Sequence, residues 1–148
     1  MDYPKYSAPG FVSSVGISPA NAAAALAALQ KLEARPDLVA RLRARSRLFL
    51  DLCRDRGIAT GLSEGSAVVP CIVGDSAACL RLAEGLAGRG INVQPILAPA
   101  VPEHQARLRF FITARHSEAQ LVATAVALAE EWARLEFDTT DIAAEACP

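Results

Sequence analysis

The chain has 148 residues, 52% of them hydrophobic, and a formal net charge of −1. That length suits one domain with a real core, and the near-neutral charge gives no broad electrostatic pull towards nucleic acid. No apolar run approaches the eighteen or so residues of a membrane span, and the polar N-terminus does not read as a signal peptide.

Residues 1–17 are rich in Tyr, Pro, Gly and Ser without a usable period and read as an extended lead-in. Ser18-Pro19 then opens a helix, with serine as N-cap and proline in the first turn. The alanine-rich stretch from Asn21 to Ala34 carries Leu26, Leu29 and Leu32. Arg35-Pro36-Asp37 interrupts it, because the residue before a proline avoids helical dihedrals. A second helix runs to Arg56 and stops at Gly57. Leu38, Leu42, Phe49, Leu52 and Cys53 form its buried stripe. Its arginines (41, 43, 45, 47, 54 and 56) recur at spacings that wrap around the helix. With no interleaved aromatics to stack bases, they read as a solvated surface, not a nucleic-acid patch.

A Gly/Ser-rich connection over 58–66 leads into a strand from Ala67 to Val73, where Pro70 removes a ladder donor and points to an edge or a bulge. Gly74-Asp75-Ser76 starts a helix whose apolar side reads Leu80, Ala83, Leu86 and Ala87, ending near Gly90. Ile91–Ile96 is a second strand. After the proline turn containing Pro99 and Pro102 comes a third, Arg107 to Ala114. In it Leu108, Phe110 and Ile112 point one way, and Arg107, Arg109, Phe111 and Thr113 the other. Two arginines on one strand face invite an anion. Ser117 and Gln120 form a capping box for a last helix with Leu121, Ala125, Leu128, Trp132 and Leu135 at helical spacing.

The expected fold is therefore α+β, two-layer: a three-stranded, mainly antiparallel sheet with helices packed on one face and the arginine face open. The domain spans 18–136, and residues 137–148 form an acidic tail expected to be disordered. The four cysteines include no CxxC pair, and two histidines are too few to build a convincing metal site with them. Cys53 on an apolar helix face and Cys71 within a strand favour buried thiols in a reducing cytoplasm. His104, Ser13 and Ser14 read from the residues alone as loop or turn residues, and His116 as a hydrogen-bonding loop residue.

Several runs in order carry a resemblance. They are the lead-in from Tyr6 through Ser13-Ser14 to Ser18-Pro19 and its alanines, Val69-Pro70, Gly90-Ile91-Asn92-Val93, Pro99-Ala100-Val101-Pro102, and Arg107-Leu108-Arg109 followed by Ala114-Arg115-His116. From about Asp2 to Glu131 the chain resembles the C-terminal part of the α-oxoamine synthases. These pyridoxal-phosphate enzymes of fold type I, in the aminotransferase class I/II group, include 8-amino-7-oxononanoate synthase, 2-amino-3-ketobutyrate CoA ligase, 5-aminolevulinate synthase and serine palmitoyltransferase.

The resemblance implies an acyltransferase that condenses an amino acid with an acyl thioester, from CoA or an acyl carrier protein, to an α-oxoamine. It implies that Arg109 binds the substrate carboxylate, a role suited to a planar fork on a rigid strand. It also implies that Ser14, and less directly Ser13, approach the cofactor phosphate across the interface of a homodimer. The family's cofactor lysine, its ring-stacking histidine and its pyridine-pairing aspartate would lie upstream of Met1. Lys5 and Lys31 match no lysine motif. The chain alone is thus expected to bind no pyridoxal 5'-phosphate, to contain no catalytic residue, to be inactive, and to lack its large catalytic domain. Ala100 and Glu103-His104 stand where the family usually has threonine and glycine, which leaves the amino acid and acyl group open. A stand-alone α+β ligand- or protein-binding module without catalysis is the alternative.

Overall fold

The computed structural model describes Ser7, residues 16–135 and, as helix backbone only, residues 136–145. It has two compact units, Met1–Asp37 and Leu38–Pro148. In the first, helix α1 spans Pro19–Ala34, and Ser18 caps it by accepting from the Asn21 amide at 3.3 Å. None of its residues is buried; Leu26, Leu29 and Leu32 are each about half exposed. Arg35 and Asp37 form an ion pair at 2.8 Å across the expected break.

Helix α2 (Asp37–Arg54) carries Phe49 and Cys53 into the core as expected, with Leu50 and Ser46 buried beside them. It ends with Gly57 at φ +73°, where the Gly57 and Ile58 amides close back on the carbonyls of Arg54 and Cys53. The left-handed residue costs glycine little and satisfies two helix-end acceptors. Strand β1 (Val68–Gly74), helix α3 (Ser76–Gly88), strand β2 (Gln94–Ile96), strand β3 (Ala106–Phe111) and helix α4 (Glu118–Glu145) complete the order. The sheet order is β1-β3-β2, and both pairings are antiparallel.

This is the expected α+β architecture, with the strand register as read from the sequence. Val69 pairs with Phe110 and Cys71 with Leu108 on the inner face, all four buried. Pro70 pairs with Arg109, which pairs in turn with Gln94, on the outer face. Phe49 of α2 meets Phe110 with ring centroids 5.1 Å apart and a tilt of 53°, a favoured aromatic geometry. Helix α3 contacts all three strands and α4. Leu121, Ala125 and Leu128 of α4 are buried, while Trp132 and Leu135 are partly buried against the same core.

Four details differ from the reading of the sequence. Pro70 lies on an edge strand with a bulge after Ile72, but it breaks no ladder bond. The Ile72 amide, two residues on and therefore on the same side, points outward to the Ala59 carbonyl at 2.8 Å, so the donor that proline lacks would also point away from β3. Helix α3 buries Cys79, Leu82 and Leu86 and leaves Leu80 and Ala87 exposed. Both stripes fit a helical period, and the cysteine was the member that the hydrophobic count passed over. Strands β2 and β3 are shorter than 91–96 and 107–114. Helix α4 continues to Glu145, into the stretch read as a tail.

The α3 phase has a direct test by urea denaturation. Leu82→Ala removes a fully buried side chain and should cost roughly 2–5 kcal/mol, whereas Leu80→Ala should stay within about 0.5 kcal/mol of the parent. Equal losses would contradict the observed packing.

Candidate functional site

The outer face of the sheet is a floor of half-buried Val68, Pro70, Ile72 and Ile96 from which Arg109 and Phe111 project, both exposed. Arg109 is central because β3 lies between β1 and β2. Its flanking partners, Pro70 and Gln94, bring no charge, and among the described residues no strand position on this face is acidic. Among the described residues the Arg109 side chain makes no hydrogen bond or ion pair; its contact is the Phe111 ring, 5.0 Å from guanidinium carbon to centroid. A cation with all its donors free, on a rigid strand, is suited to bidentate capture of a carboxylate.

Arg107 differs. Its Nε donates to the Gln105 carbonyl and its Nη2 to Gln105 Oε1, both at 3.0 Å. Its fork is occupied within its own strand entry, which fits a structural role.

The turn after β3 is pinned from several sides. His116 Nδ1 accepts from the Thr113 amide at 3.2 Å, and Thr113 Oγ1 accepts from the Arg115 amide at 3.3 Å. Arg45 of α2 donates to the Ala114 carbonyl. The capping box forms in full: Gln120 Oε1 accepts from the Ser117 amide at 2.8 Å, and Ser117 Oγ from the Gln120 amide at 3.1 Å. His116 thus stands as the hydrogen-bonding loop residue its position suggests, and His104 is exposed in the proline turn. Ser13 and Ser14 lie outside the described residues.

A cavity of about 480 Å³ opens at the end of the sheet, between the Arg89–Asn92 turn, Phe110–Ile112 and the first turns of α4. Arg109 does not line it. Beside it, Arg89 pairs with Glu130 and, at 2.7 Å, with the nearly buried Glu131, which Arg134 also contacts at 2.9 Å. A Cβ on Gly85 would lie 2.5 Å from Glu131 Oε2, so glycine in α3 is what admits this carboxylate between the helices. The sequence pattern did not reveal this group. Its signal was a glycine inside a helix, which costs stability unless something packs there.

Cys53, Cys71 and Cys79 are buried free thiols. The hydrogen bond with Cys53, reinforced by burial, holds the Cys71 thiol well above its ordinary range. Burial, with the Asp75 charge, pushes Cys79 up to about 11, so neither is a nucleophile at neutral pH. Among the described residues no group of His, Cys, Asp or Glu is placed to hold a metal ion, and no helix is long and apolar enough to cross a membrane.

With this geometry established, comparison with known proteins is decisive on ancestry. Residues 4–128 match the aminotransferase class I and II family. The chain belongs to that family. Within it, the chain is 46% identical over 121 residues to an 8-amino-7-oxononanoate synthase of Methylobacterium nodulans, covering 81% of this chain and 30% of the relative. An 8-amino-7-oxononanoate synthase of Symbiobacterium thermophilum is 34% identical over 120 residues, with the same coverage. The chain therefore spans about 30% of the length of these relatives.

Among solved structures, Sphingomonas wittichii serine palmitoyltransferase superposes with a TM-score of 0.77 at 25% identity, over 90% of this chain and 34% of that one. The 8-amino-7-oxononanoate synthase of Francisella tularensis gives 0.76 at 23% identity, over 92% and 39%. The fold is thus that of the small C-terminal domain of the fold-type I pyridoxal-phosphate enzymes, and the family resemblance of the sequence is borne out.

The described residues do not themselves form a holder for that cofactor. Lys31 is the sole lysine among them and lies exposed in the last turn of α1. Among the described residues no strand position on the outer face carries a carboxylate to pair with a pyridine nitrogen.

The ion-pair group near the cavity predicts a pH response. The hydrogen bond from Arg89 holds the Glu130 carboxyl below its ordinary value. A depressed carboxylate contributes stability above its unfolded pKa, which is lost as pH falls through the folded value. Arg89→Met should therefore flatten the acid limb of stability measured by urea midpoints from about pH 6 down to about pH 3. An unchanged limb would show that the pair contributes nothing.

Proposed function

We propose that this chain is the C-terminal, carboxylate-binding part of a pyridoxal-phosphate-dependent acyltransferase that condenses an amino acid with an acyl thioester to an α-oxoamine. Membership of the aminotransferase class I and II family and the synthase relatives support the reaction class. The observation that carries the site assignment is Arg109: exposed, its side chain unpaired among the described residues, and central on the outer face of the sheet.

In this reading Arg109 grips the substrate carboxylate through two parallel N–H···O bonds and so fixes the orientation of the amino acid. Its strand, backed by Leu108 and Phe110 in the core, keeps the fork from moving with the ligand. A single sheet face gives one wall. The opposite wall, the cofactor lysine and the cofactor pocket come from a large domain such as the longer relatives have room for. The cofactor there supplies the electron sink for chemistry at the amino acid's α-carbon. Ser14 and Ser13 would reach the cofactor phosphate across a homodimer interface, and the assembly would work in the cytoplasm. The acyl donor is a CoA or carrier-protein thioester.

Two measurements test this. In the complete enzyme, Arg109→Ala should weaken amino-acid binding by roughly 2–5 kcal/mol, the cost of breaking a partly dry charged pair, while cofactor binding and fold are kept. Arg109→Lys should recover only part, because an ammonium lacks the fork, and Arg107→Ala should do much less. Amino-acid affinity in Arg109→Ala equal to the parent's would remove the assignment. For the 148-residue chain alone, pyridoxal phosphate followed by borohydride should leave no stoichiometric label on Lys5 or Lys31. A single lysine labelled to completion would mean that the chain carries its own cofactor site.

A further inference from the structure

Arg109 and Arg107 lie on one strand face, and each is restrained, but by opposite means. Gln105 holds Arg107 by occupying its Nε and Nη2 donors. Phe111 meets Arg109 through the face of its ring, 5.0 Å from the guanidinium carbon. A ring face attracts the flat side of a guanidinium and leaves the in-plane N–H edges untouched. Stacking and carboxylate binding can therefore occur together.

Phe111 also projects from the outer face. It is 52% exposed, the only aromatic among the described residues on the exposed side of the sheet or helices. Opposite Val68 on an outer sheet face, a smaller β-former would serve the strand equally well.

We propose that Phe111 is a positioning residue for Arg109: its ring holds the guanidinium in a narrow range of rotamers with every donor free, so that less freedom is lost when the substrate carboxylate binds. The inference rests on the carboxylate reading of Arg109 and extends it. Ring contact also keeps water from one side of the cation, which strengthens the charge-assisted bonds made at its edge.

The test combines a readout on this chain with one on the complete enzyme. In the chain, the Arg109 side-chain methylene protons should be shifted upfield by the ring current, and Phe111→Leu should return them to ordinary values while Phe111→Tyr keeps the shift. In the complete enzyme, calorimetric titration with the amino acid should show Phe111→Leu binding about three- to five-fold more weakly, the scale of an exposed cation–π contact. Phe111→Tyr should restore affinity, with the melting temperature unchanged throughout. In an Arg109→Ala background, Phe111→Leu should have no further effect.

Leucine keeps the apolar bulk, so full affinity in Phe111→Leu would overturn the positioning role and leave a mere space-filler. A loss of the same size in the Arg109→Ala background would also overturn it, since Phe111 would then act directly or through the cavity it borders. If Arg109→Ala itself has no effect, the carboxylate reading fails first, and the two failures are distinguishable.

Discussion

The structure depends on the position of β3 between two antiparallel neighbours. A central strand has its backbone groups engaged on both sides, so its side-chain alternation cannot drift. Leu108 and Phe110 point into the core, and Arg109 and Phe111 point out of it. A slip of one residue would place a guanidinium among Phe49, Leu82 and Leu128 and expose two large apolar groups. Burying an unpaired cation costs far more than any strand preference could return. The core therefore fixes the outer face: the residues that bury one side of the strand decide which arginines point away from it.

That dependence also explains what could be read from the chain in advance. The β3 alternation, the Ser18 and Ser117 caps and the break at Pro36 are local signals with one physical reading each, and they predicted the elements and the sheet face. The phase of α3 was harder, because Leu80 and Leu82 are both leucines and only the packing partner selects between them. Gly85 against Glu131 was invisible for the same reason: the meaning of a small residue lies in the neighbour that fills its space. Arg109 was legible as an outward arginine, and its ligand role is what the family motif implies. Its freedom, against the tethering of Arg107, was not legible. That contrast depends on whether a glutamine two residues upstream turns back on the fork.

The two arginines also separate two uses of the same side chain. One spends its donors on the entry of its own strand and stabilises the turn from Pro102 into β3. The other is left with its donors unspent on a half-apolar floor, where a carboxylate would find few competing hydrogen-bond partners. The absence of acids at the described strand positions of that face matters as much as the presence of the arginine, since an adjacent carboxylate would occupy the fork and compete with any substrate.

The proline in β1 has a wider consequence once its direction is known. Pro70 turns its missing donor outward, and by the strand alternation Pro95 in β2 does the same on the opposite side. Each margin of the sheet thus lacks an amide just where a further strand would dock, and the Ile72 amide beside Pro70 is already engaged by Ala59. The sheet is blunted against growth by strand addition, the usual route by which small exposed sheets aggregate. A partner that reads this sheet therefore meets its side chains and not its backbone, because the edges offer little for a strand to pair with.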